Sequence, residues 1–289
     1  MTDGDFVRED ALQDVTTPAG TLRYYDTGGD RPPLLFLHGS GPGVTGWRNF
    51  RGVLPAFRAH FRCLVLEFPG FGVTEDQGGH PMVTAQGVVP PFLDALGVER
   101  VDIVGNSMGG GVGITFAIHH PQRLRRLVTI GGIGTNIFSP GPSEGIRLLQ
   151  EFTEDPTRQR LVDWLQSMVY DPALVTEELI EERWRLATDP QTLAAARRMY
   201  GKAAFAQMMA FMRSSDAPMP WAQMHRVAAP TLLTWGRDDR VSPLDMALLP
   251  MRTIPDAELH VFPKCGHWAM IEAKTAFEAT VLSFLSRAG

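Results

Sequence analysis

Cysteine is scarce in this sequence, whose 289 residues include only Cys63 and Cys265. Two cysteines cannot form the disulfide framework that stabilises small secreted proteins. The N-terminal sequence MTDGDFVRED is polar and acidic, and it lacks the basic segment and apolar run of a signal peptide. We therefore expect a reduced, cytoplasmic protein.

Long apolar runs and an excess of positive charge are also missing. No hydrophobic stretch approaches the roughly 20 residues that a membrane-spanning helix needs. The formal net charge is -5, which gives no electrostatic attraction to nucleic acid or to an anionic membrane. We expect neither partner, and we expect no metal ion and no cofactor.

Short apolar runs that end in glycine or a turn recur along the chain. They are rich in Val, Ile and Leu, as strands buried on both faces of a parallel sheet are. The runs lie at residues 34–37, 63–66, 101–104, 127–130, 231–235 and 259–262. Helix-favouring segments lie at residues 82–96, 107–119, 244–252 and 269–287. This alternation predicts an α/β fold with a mostly parallel sheet, which binds ligands beyond the carboxyl ends of its strands.

Residues 139–220 interrupt this alternation. Proline-rich sequences bound the segment at residues 139–142 (SPGP) and 217–220 (APMP), and charged, helix-favouring sequences lie between them. We interpret the segment as a helical cap inserted between two parts of the sheet domain, residues 1–138 and residues 221–289.

A candidate nucleophile lies where the run at 101–104 meets a helix. Residues 105–109 (GNSMG) match the pattern G-x-S-x-G, which places a serine on a sharp strand–turn–helix with glycines relieving the crowding. Ser107 would project at the sheet edge, at a helix N-terminus that favours negative charge. The backbone N–H of Met108 would point at a developing oxyanion. A capping serine at a glycine-rich helix start is the structural alternative.

A serine nucleophile needs a base and an acidic partner, which in this arrangement follow the serine in the order acid, then histidine. The loop after the run at 231–235 contains Asp238 and Asp239, and the loop after the run at 259–262 contains His267. We prefer Asp239 because its greater depth in the loop reaches over the sheet edge. Asp238 is the minor alternative, and we expect it to cap or to pair with Arg240.

A glycine-rich loop follows the run at 34–37. Residues 38–43 (HGSGPG) have the small side chains that let the backbone approach a substrate oxygen. We assign the N–H of Ser40 as the second oxyanion donor and expect His38 to buttress the loop. A plain flexible turn is the alternative.

Together these motifs resemble the meta-cleavage product hydrolases, which have an α/β-hydrolase fold and cleave a carbon–carbon bond in 2-hydroxy-6-oxo-hexa-2,4-dienoates. The resemblance covers residues 30–287, including the cap. The segments that carry it are residues 38–43, 46–50 (GWRNF), 105–110, 138–140 (FSP), 144–146 (EGI), 182–184 (ERW), 235–240 (WGRDDR) and 264–268 (KCGHW).

The resemblance implies roles for further residues. Arg183 would hold the carboxylate end of the dienoate, because a guanidinium offers bidentate donors. Asn49, Asn106 and Trp268 would assist it, while Gly39 and Gly41 would line the substrate site. The resemblance also implies a homo-oligomer, a dimer or larger. The structural alternatives are a surface ion pair for Arg183, satisfied amides for the two asparagines and plain packing for Trp268.

Two positions depart from the family pattern. Met168 stands where an aromatic cap residue is common, which predicts an altered pocket for the C6 substituent because methionine is slim and adaptable. Glu67 follows the run at 63–66, where a small or acidic residue is usual, and the sequence assigns it no role.

Two other functions use the same scaffold. A capped carboxylesterase would need the same three catalytic residues, and only Asn49, Asn106, Arg183 and Trp268 argue against it. A non-catalytic binding protein would not need Ser107, His267 and Asp239 together. The sequence leaves open the C6 substituent and the choice between an acyl-enzyme and a gem-diol intermediate.

Overall fold

The computed structural model describes residues 11–214 and 220–287, without the side chains of residues 208, 209, 211–213, 220 and 221. One sheet of eight strands forms its centre. The strands are β1 (Leu12–Thr17), β2 (Gly20–Asp26), β3 (Pro33–Leu37), β4 (Arg62–Glu67), β5 (Val101–Asn106), β6 (Leu124–Ile130), β7 (Thr231–Gly236) and β8 (Ala257–Phe262).

The strand order across the sheet is β1-β2-β4-β3-β5-β6-β7-β8. Strands β3 to β8 run parallel to one another, and the antiparallel pairings are β1 with β2 and β2 with β4. The mostly parallel α/β fold predicted from the sequence is confirmed. The hairpin β1–β2 was not predicted.

Helices cover the sheet and connect its strands. They are α1 (Gly46–Phe50), α2 (Leu54–Arg58), α3 (Pro81–Ala95), α4 (Met108–His119), α5 (Glu144–Glu154), α6 (Arg158–Met168), α7 (Glu177–Ala187), α8 (Pro190–Tyr200), α9 (Lys202–Ser214), α10 (Leu248–Thr253), α11 (Ala269–Glu272) and α12 (Lys274–Leu285). The predicted helix at 269–287 is divided between α11 and α12, and 3-10 helix precedes α10 at residues 244–247.

Helices α5 to α9 all lie between β6 and β7 in the chain, and the described part of this segment contains no strand. This agrees with the helical cap expected there. The division into residues 1–138, 139–220 and 221–289 stays a prediction, and residues 215–219, near its second boundary, lie outside the described residues.

Two hydrophobic layers pack on opposite faces of the sheet. In β3, Leu34 and Phe36 belong to one layer, and Leu35 and Leu37 belong to the other, as the alternation of side chains along a strand requires. The first layer continues into the cap through Trp164 of α6. None of the helices in the described part of the chain is long and apolar enough to cross a bilayer.

Candidate active site

Ser107 occupies a strained turn between β5 and α4. Its φ is 51° and its ψ is -112°, a left-handed φ that a residue with a side chain rarely adopts and that often marks a functional site. A Cβ on Gly109 would lie 2.1 Å from the backbone oxygen of Leu37, and a Cβ on Gly132 would lie 2.3 Å from Cα of Ser107. Only glycine fits at these two positions, so the sequence around the turn is dictated by close packing.

His267 and Asp239 form a buried pair at the ends of β8 and β7. Nδ1 of His267 lies 2.7 Å from Oδ2 of Asp239. The other carboxylate oxygen of Asp239 accepts hydrogen bonds from the backbone N–H groups of Val241 and Ser242, both at 2.8 Å. These bonds fix the position of the carboxylate. Because the carboxylate engages Nδ1, the other imidazole nitrogen, Nε2, is available to accept a proton from a hydroxyl.

Ser107 and His267 face the same cavity, which is lined by both residues together with Ser40 and Asn106. In the part of the chain that the structure describes, no hydrogen bond joins Oγ of Ser107 to the imidazole. Catalytic hydrogen bonds are often loose before substrate binds. The arrangement therefore brings the three predicted catalytic side chains to one site.

Asp238 does not take part in this site. Its carboxylate forms an ion pair with Arg237 at 3.2 Å, while Arg240 pairs with Glu144 at 3.1 Å. The expectation that Asp238 pairs with Arg240 is therefore wrong, because Arg240 turns towards α5 of the cap. The geometry favours Asp239 over Asp238 as the partner of His267.

The glycine-rich loop after β3 is supported by His38. The backbone N–H of Phe68 donates to Nε2 of His38 at 2.9 Å, so Nδ1 carries the proton and donates to the oxygen of Gly39 at 2.6 Å. Burial, opposed by the bond to Gly39 and assisted by Arg183, lowers the pKa of His38 to about 4. The imidazole is thus neutral and holds the loop, as expected from the sequence.

Side chains of the cap close this loop from above. Ser40 is hydrogen-bonded to the hydroxyl of Tyr200 on α8. A Cβ on Gly41 would lie 2.2 Å from the ring of Trp164, which leaves no room for a side chain there. Tyr200 and Trp164 line the cavity together with Ser107. The sequence did not single out either residue, since the apolar face of a helical segment does not show which residues that face will meet.

Asn49 connects α1 to the same loop. Its Oδ1 accepts a hydrogen bond from the backbone N–H of Gly39 at 3.0 Å, and its Nδ2 is buried without a hydrogen-bond partner in the described structure. Asn49 therefore has a structural task in addition to the substrate contact implied by the resemblance. Its free donor is available to a ligand, because a buried N–H without a partner is costly to leave unsatisfied.

Glu67, which the sequence left without a role, holds the start of α1. Its carboxylate accepts from the backbone N–H groups of Gly46 at 2.7 Å and Trp47 at 2.9 Å. The side chain is fully buried at the end of β4. A carboxylate at a helix start accepts hydrogen bonds from N–H groups that have no partner within the helix, and its negative charge interacts favourably with the helix dipole. Glu67 thus fixes the helix that carries Asn49.

Arg183 is a buried cation on α7, with only 2% of its surface exposed. One guanidinium nitrogen donates to the oxygen of Pro42 at 3.2 Å, and the guanidinium carbon lies 5.3 Å from the ring centre of Trp268. No described carboxylate forms an ion pair with it, and its Nε has no partner. Burial is the main cause that lowers the pKa of the Arg183 guanidinium, and the positive charges of Arg48 and Arg51 lower it further. The surface ion pair considered from the sequence is therefore wrong.

Other predicted site residues border the same cavity. Asn106 donates from Nδ2 to the oxygen of Ile130 at 3.1 Å, so this amide hydrogen bond is internal. Met168 and Trp268 line the cavity on the side of Arg183. Met168 does not border the neighbouring cavity of about 520 Å³ on the other side of Ser107, and its predicted effect on the C6 substituent stays a prediction.

Metal-binding groups are not part of the site. In residues 11–214 and 220–287, no three His, Cys, Asp or Glu side chains cluster so that they could hold a metal ion. Cys265 lies two residues before His267 in the chain. Burial is the main cause that raises the pKa of its thiol to about 12, and the negative charges of Glu272 and Asp239 add to it. A thiol of this kind is a poor nucleophile at neutral pH.

Comparisons with known proteins agree with this geometry. The family model described as "alpha/beta hydrolase fold" matches residues 32–274. A 2-hydroxy-6-oxononadienedioate/2-hydroxy-6-oxononatrienedioate hydrolase of Burkholderia vietnamiensis is 38% identical over an alignment of 277 positions, which covers 92% of this chain and 91% of the relative. The chain belongs to the meta-cleavage product hydrolases of the alpha/beta hydrolase fold.

Other meta-cleavage product hydrolases are similar along most of their length. A 2-hydroxy-6-oxo-6-phenylhexa-2,4-dienoate hydrolase of Burkholderia cepacia is 36% identical, covering 89% of each chain. A solved meta-cleavage product hydrolase of Pseudomonas fluorescens IP01 superposes with a TM-score of 0.84 at 29% identity, covering 96% of this chain and 98% of that one. The names of the two Burkholderia relatives specify substrates that differ at C6. One substrate is a dienedioate, which carries a second carboxylate, and the other carries an uncharged phenyl group.

Proposed function

We propose that this protein hydrolyses a carbon–carbon bond in a 2-hydroxy-6-oxo-hexa-2,4-dienoate, giving a 2-hydroxypentadienoate and a carboxylic acid. The observation that carries the proposal is the buried guanidinium of Arg183, which shares a cavity with Ser107 and has no anionic partner in the described structure. A buried cation without a counter-ion is costly. A substrate carboxylate removes that cost.

The carboxylate end of the dienoate would lie against Arg183, with the free Nδ2 of Asn49 as a second donor. The ring of Trp268, which is stacked on the guanidinium, would lie along one side of the planar dienoate. A simple ester without a carboxylate would leave Arg183 unpaired. This supports a dienoate hydrolase over a capped carboxylesterase.

Cleavage begins when the dienol is converted to its keto form, which makes the departing carbon a better leaving group. Ser107 then attacks the C6 carbonyl, and its proton passes to His267, which Asp239 orients through the 2.7 Å contact. The N–H groups of Met108 and Ser40 would stabilise the oxyanion. The tetrahedral intermediate breaks its C5–C6 bond, and the electron pair passes through the conjugated chain to the C2 oxygen. That oxygen takes the proton from His267, which gives the 2-hydroxypentadienoate.

Water completes the reaction. Activated by His267, it attacks the acyl group on Ser107, and the carboxylic acid leaves with the serine proton restored. A gem-diol route, in which water attacks C6 directly, gives the same products. Rapid release of the pentadienoate before the acid in a single turnover would support the acyl-enzyme, and simultaneous release would support the gem-diol.

Turnover of a coloured dienoate tests the proposal. The absorbance of a 2-hydroxy-6-oxo-hexa-2,4-dienoate should disappear on addition of the protein, at a kcat/KM far above that for p-nitrophenyl esters. Strong ester hydrolysis with no loss of dienoate colour would contradict the proposal and favour the carboxylesterase. No reaction with either substrate would favour a binding protein.

Assembly is a separate part of the proposal. We propose a dimer or larger homo-oligomer, as the resemblance implies, and light scattering coupled to size exclusion tests it.

A further inference from the structure

Two cavities meet at Ser107. The smaller, of about 30 Å³, lies on the side of Arg183 and Trp268. The larger, of about 520 Å³, lies on the side of Met108 and Gly132. The residues that border both are Ser40, Ser107, Ile146, Tyr200 and Val241. A substrate held at the nucleophile would therefore extend into both cavities.

The different linings of the two cavities determine which end of the substrate lies in which cavity. Arg183 borders the small cavity and not the large one, so a carboxylate bound there places the dienoate chain on that side of Ser107. The C6 carbonyl then lies at Ser107, and the C6 substituent points into the large cavity. This step rests on the function proposed above.

The large cavity has an uncharged lining. Its described lining residues include no Lys, Arg, His, Asp or Glu. The lining includes methionine, aromatic, proline and small polar side chains, namely those of Met82, Thr135, Asn136, Pro142, Ser143, Met199, Phe205 and Met246. A cavity of this kind favours an apolar group, because the transfer of apolar surface from water is favourable.

Two hydroxyl groups of this lining, those of Ser143 and Tyr200, already have internal partners. The hydroxyl of Ser143 donates to the oxygen of Val241 at 2.6 Å, and the Tyr200 hydroxyl is bonded to Ser40. Burial, against the lowering effect of the Ser40 bond, raises the pKa of Tyr200 to about 12, so this hydroxyl is neutral at neutral pH. These groups offer a ligand no charge.

Charged side chains near the large cavity are also engaged elsewhere. Arg198, next to Met199, pairs with Asp76 and donates to the oxygen of Gly79 at 2.7 Å. Asp245, next to Met246, accepts from the backbone N–H groups of Ile137, Phe138 and Ser139 and from the Ser139 hydroxyl. Of these two side chains, Asp245 is an anion and Arg198 is already paired with Asp76, so neither offers a free cation to a substrate carboxylate.

We infer that the large cavity is the C6 site and that it selects a bulky uncharged substituent, aryl or branched alkyl, over a chain that ends in a carboxylate. The chain would thus differ in specificity from its Burkholderia vietnamiensis relative, whose name specifies a dienedioate. An anionic end group in this cavity would lose its hydration without gaining a cationic partner.

A set of three dienoates tests the inference, with phenyl, isopropyl or 2-carboxyethyl at C6 and the same dienoate end. We expect kcat/KM for the phenyl and isopropyl compounds to exceed that for the carboxyethyl compound by at least about 10²-fold, as an unpaired buried charge costs several kcal/mol. Equal or better turnover of the carboxyethyl compound overturns the inference and leaves the proposed function intact. No turnover of any dienoate overturns both.

A paired substitution locates the substituent. Met199 is partly buried in the lining of the large cavity and lies away from Arg183. Met199→Lys should raise the ratio of kcat/KM for carboxyethyl over phenyl by at least about 10-fold, because the new cation pairs with the end group. Met199→Gln, of similar length and no charge, should leave the ratio within about twofold of wild type. An unchanged ratio in the lysine variant would place the substituent elsewhere.

Discussion

The Oδ1 atom of Asn49 accepts a hydrogen bond from the backbone N–H of Gly39 at 3.0 Å, while its Nδ2 remains free. One amide therefore holds the glycine-rich loop and also has a free donor, which we propose binds the substrate. Sequence reasoning assigned only the second task. The two ends of the side chain are separable by substitution.

Replacing Asn49 should separate loop positioning from substrate binding. Asn49→Asp keeps the acceptor for Gly39 but places a negative charge near the dienoate carboxylate, so KM for dienoates should rise by about 10-fold or more while ester turnover stays near wild type. Asn49→Ala removes both groups, so kcat should fall for esters and dienoates alike. Steady-state kinetics on both substrates would check this. Loss of ester activity in the aspartate variant would contradict the separation.

Loss of the nucleophile should abolish turnover without unfolding the protein. Ser107→Ala is expected to reduce kcat by at least about 10³-fold, because the attacking hydroxyl is gone. Labelling by a fluorophosphonate should disappear in the same variant, and the thermal midpoint should stay near wild type. Near-normal rates would remove Ser107 from the mechanism.

Adjacent aspartates provide a matched test of the acidic partner. Asp239→Asn should lower kcat by about 10³- to 10⁴-fold, because the amide no longer fixes the tautomer of His267. Asp238→Asn alters a carboxylate that is paired with Arg237 instead, so kcat should stay within a few-fold of wild type. Comparable losses of kcat in both variants would show that the Asp239–His267 contact does not account for the orientation of the catalytic histidine.

Arg183 should matter for dienoates and not for simple esters. Arg183→Ala is expected to lower kcat/KM for a dienoate by about 10²-fold or more, the cost of a lost charged pair of a few kcal/mol, with a much smaller effect on p-nitrophenyl esters. Arg185→Ala on the same helix removes an exposed guanidinium and serves as the control. Equal losses on both substrate types would contradict a carboxylate-binding role.

Acid should weaken the fold through His38. Burial lowers its pKa from 6.5 to about 4, so between these values the unfolded chain binds more protons than the folded chain. The resulting stability is fully present above pH 6.5, falls as the pH drops, and is lost by pH 4. The free energy of unfolding in urea, measured from pH 7.5 to 4.5, should therefore depend less steeply on pH in His38→Gln. His60→Gln, at an exposed position, should keep the wild-type slope.

The sequence itself determined the strands of the parallel part of the sheet and the turn around Ser107. Buried parallel strands are largely apolar, so β3 to β7 were visible as short runs of Val, Ile and Leu. The edge strand β8 alternates partly buried and exposed residues and showed only the run at 259–262. The hairpin β1–β2 was missed because its strands are partly exposed and their composition is polar. Gly109 is a local sign of the nucleophile turn, because no side chain fits there, whereas Gly132 meets Ser107 only in the folded chain.

The rest of the site depends on contacts between residues that are distant in the chain. The contact of Tyr200 with Ser40 and the support of α1 by Glu67 join residues far apart in the chain. Sequence periodicity shows that a helix has an apolar face, but it does not show which core residues that face meets. The uncharged lining of the large cavity has the same origin, since it is assembled from the cap and several strand-end loops, and packing alone brings those side chains together.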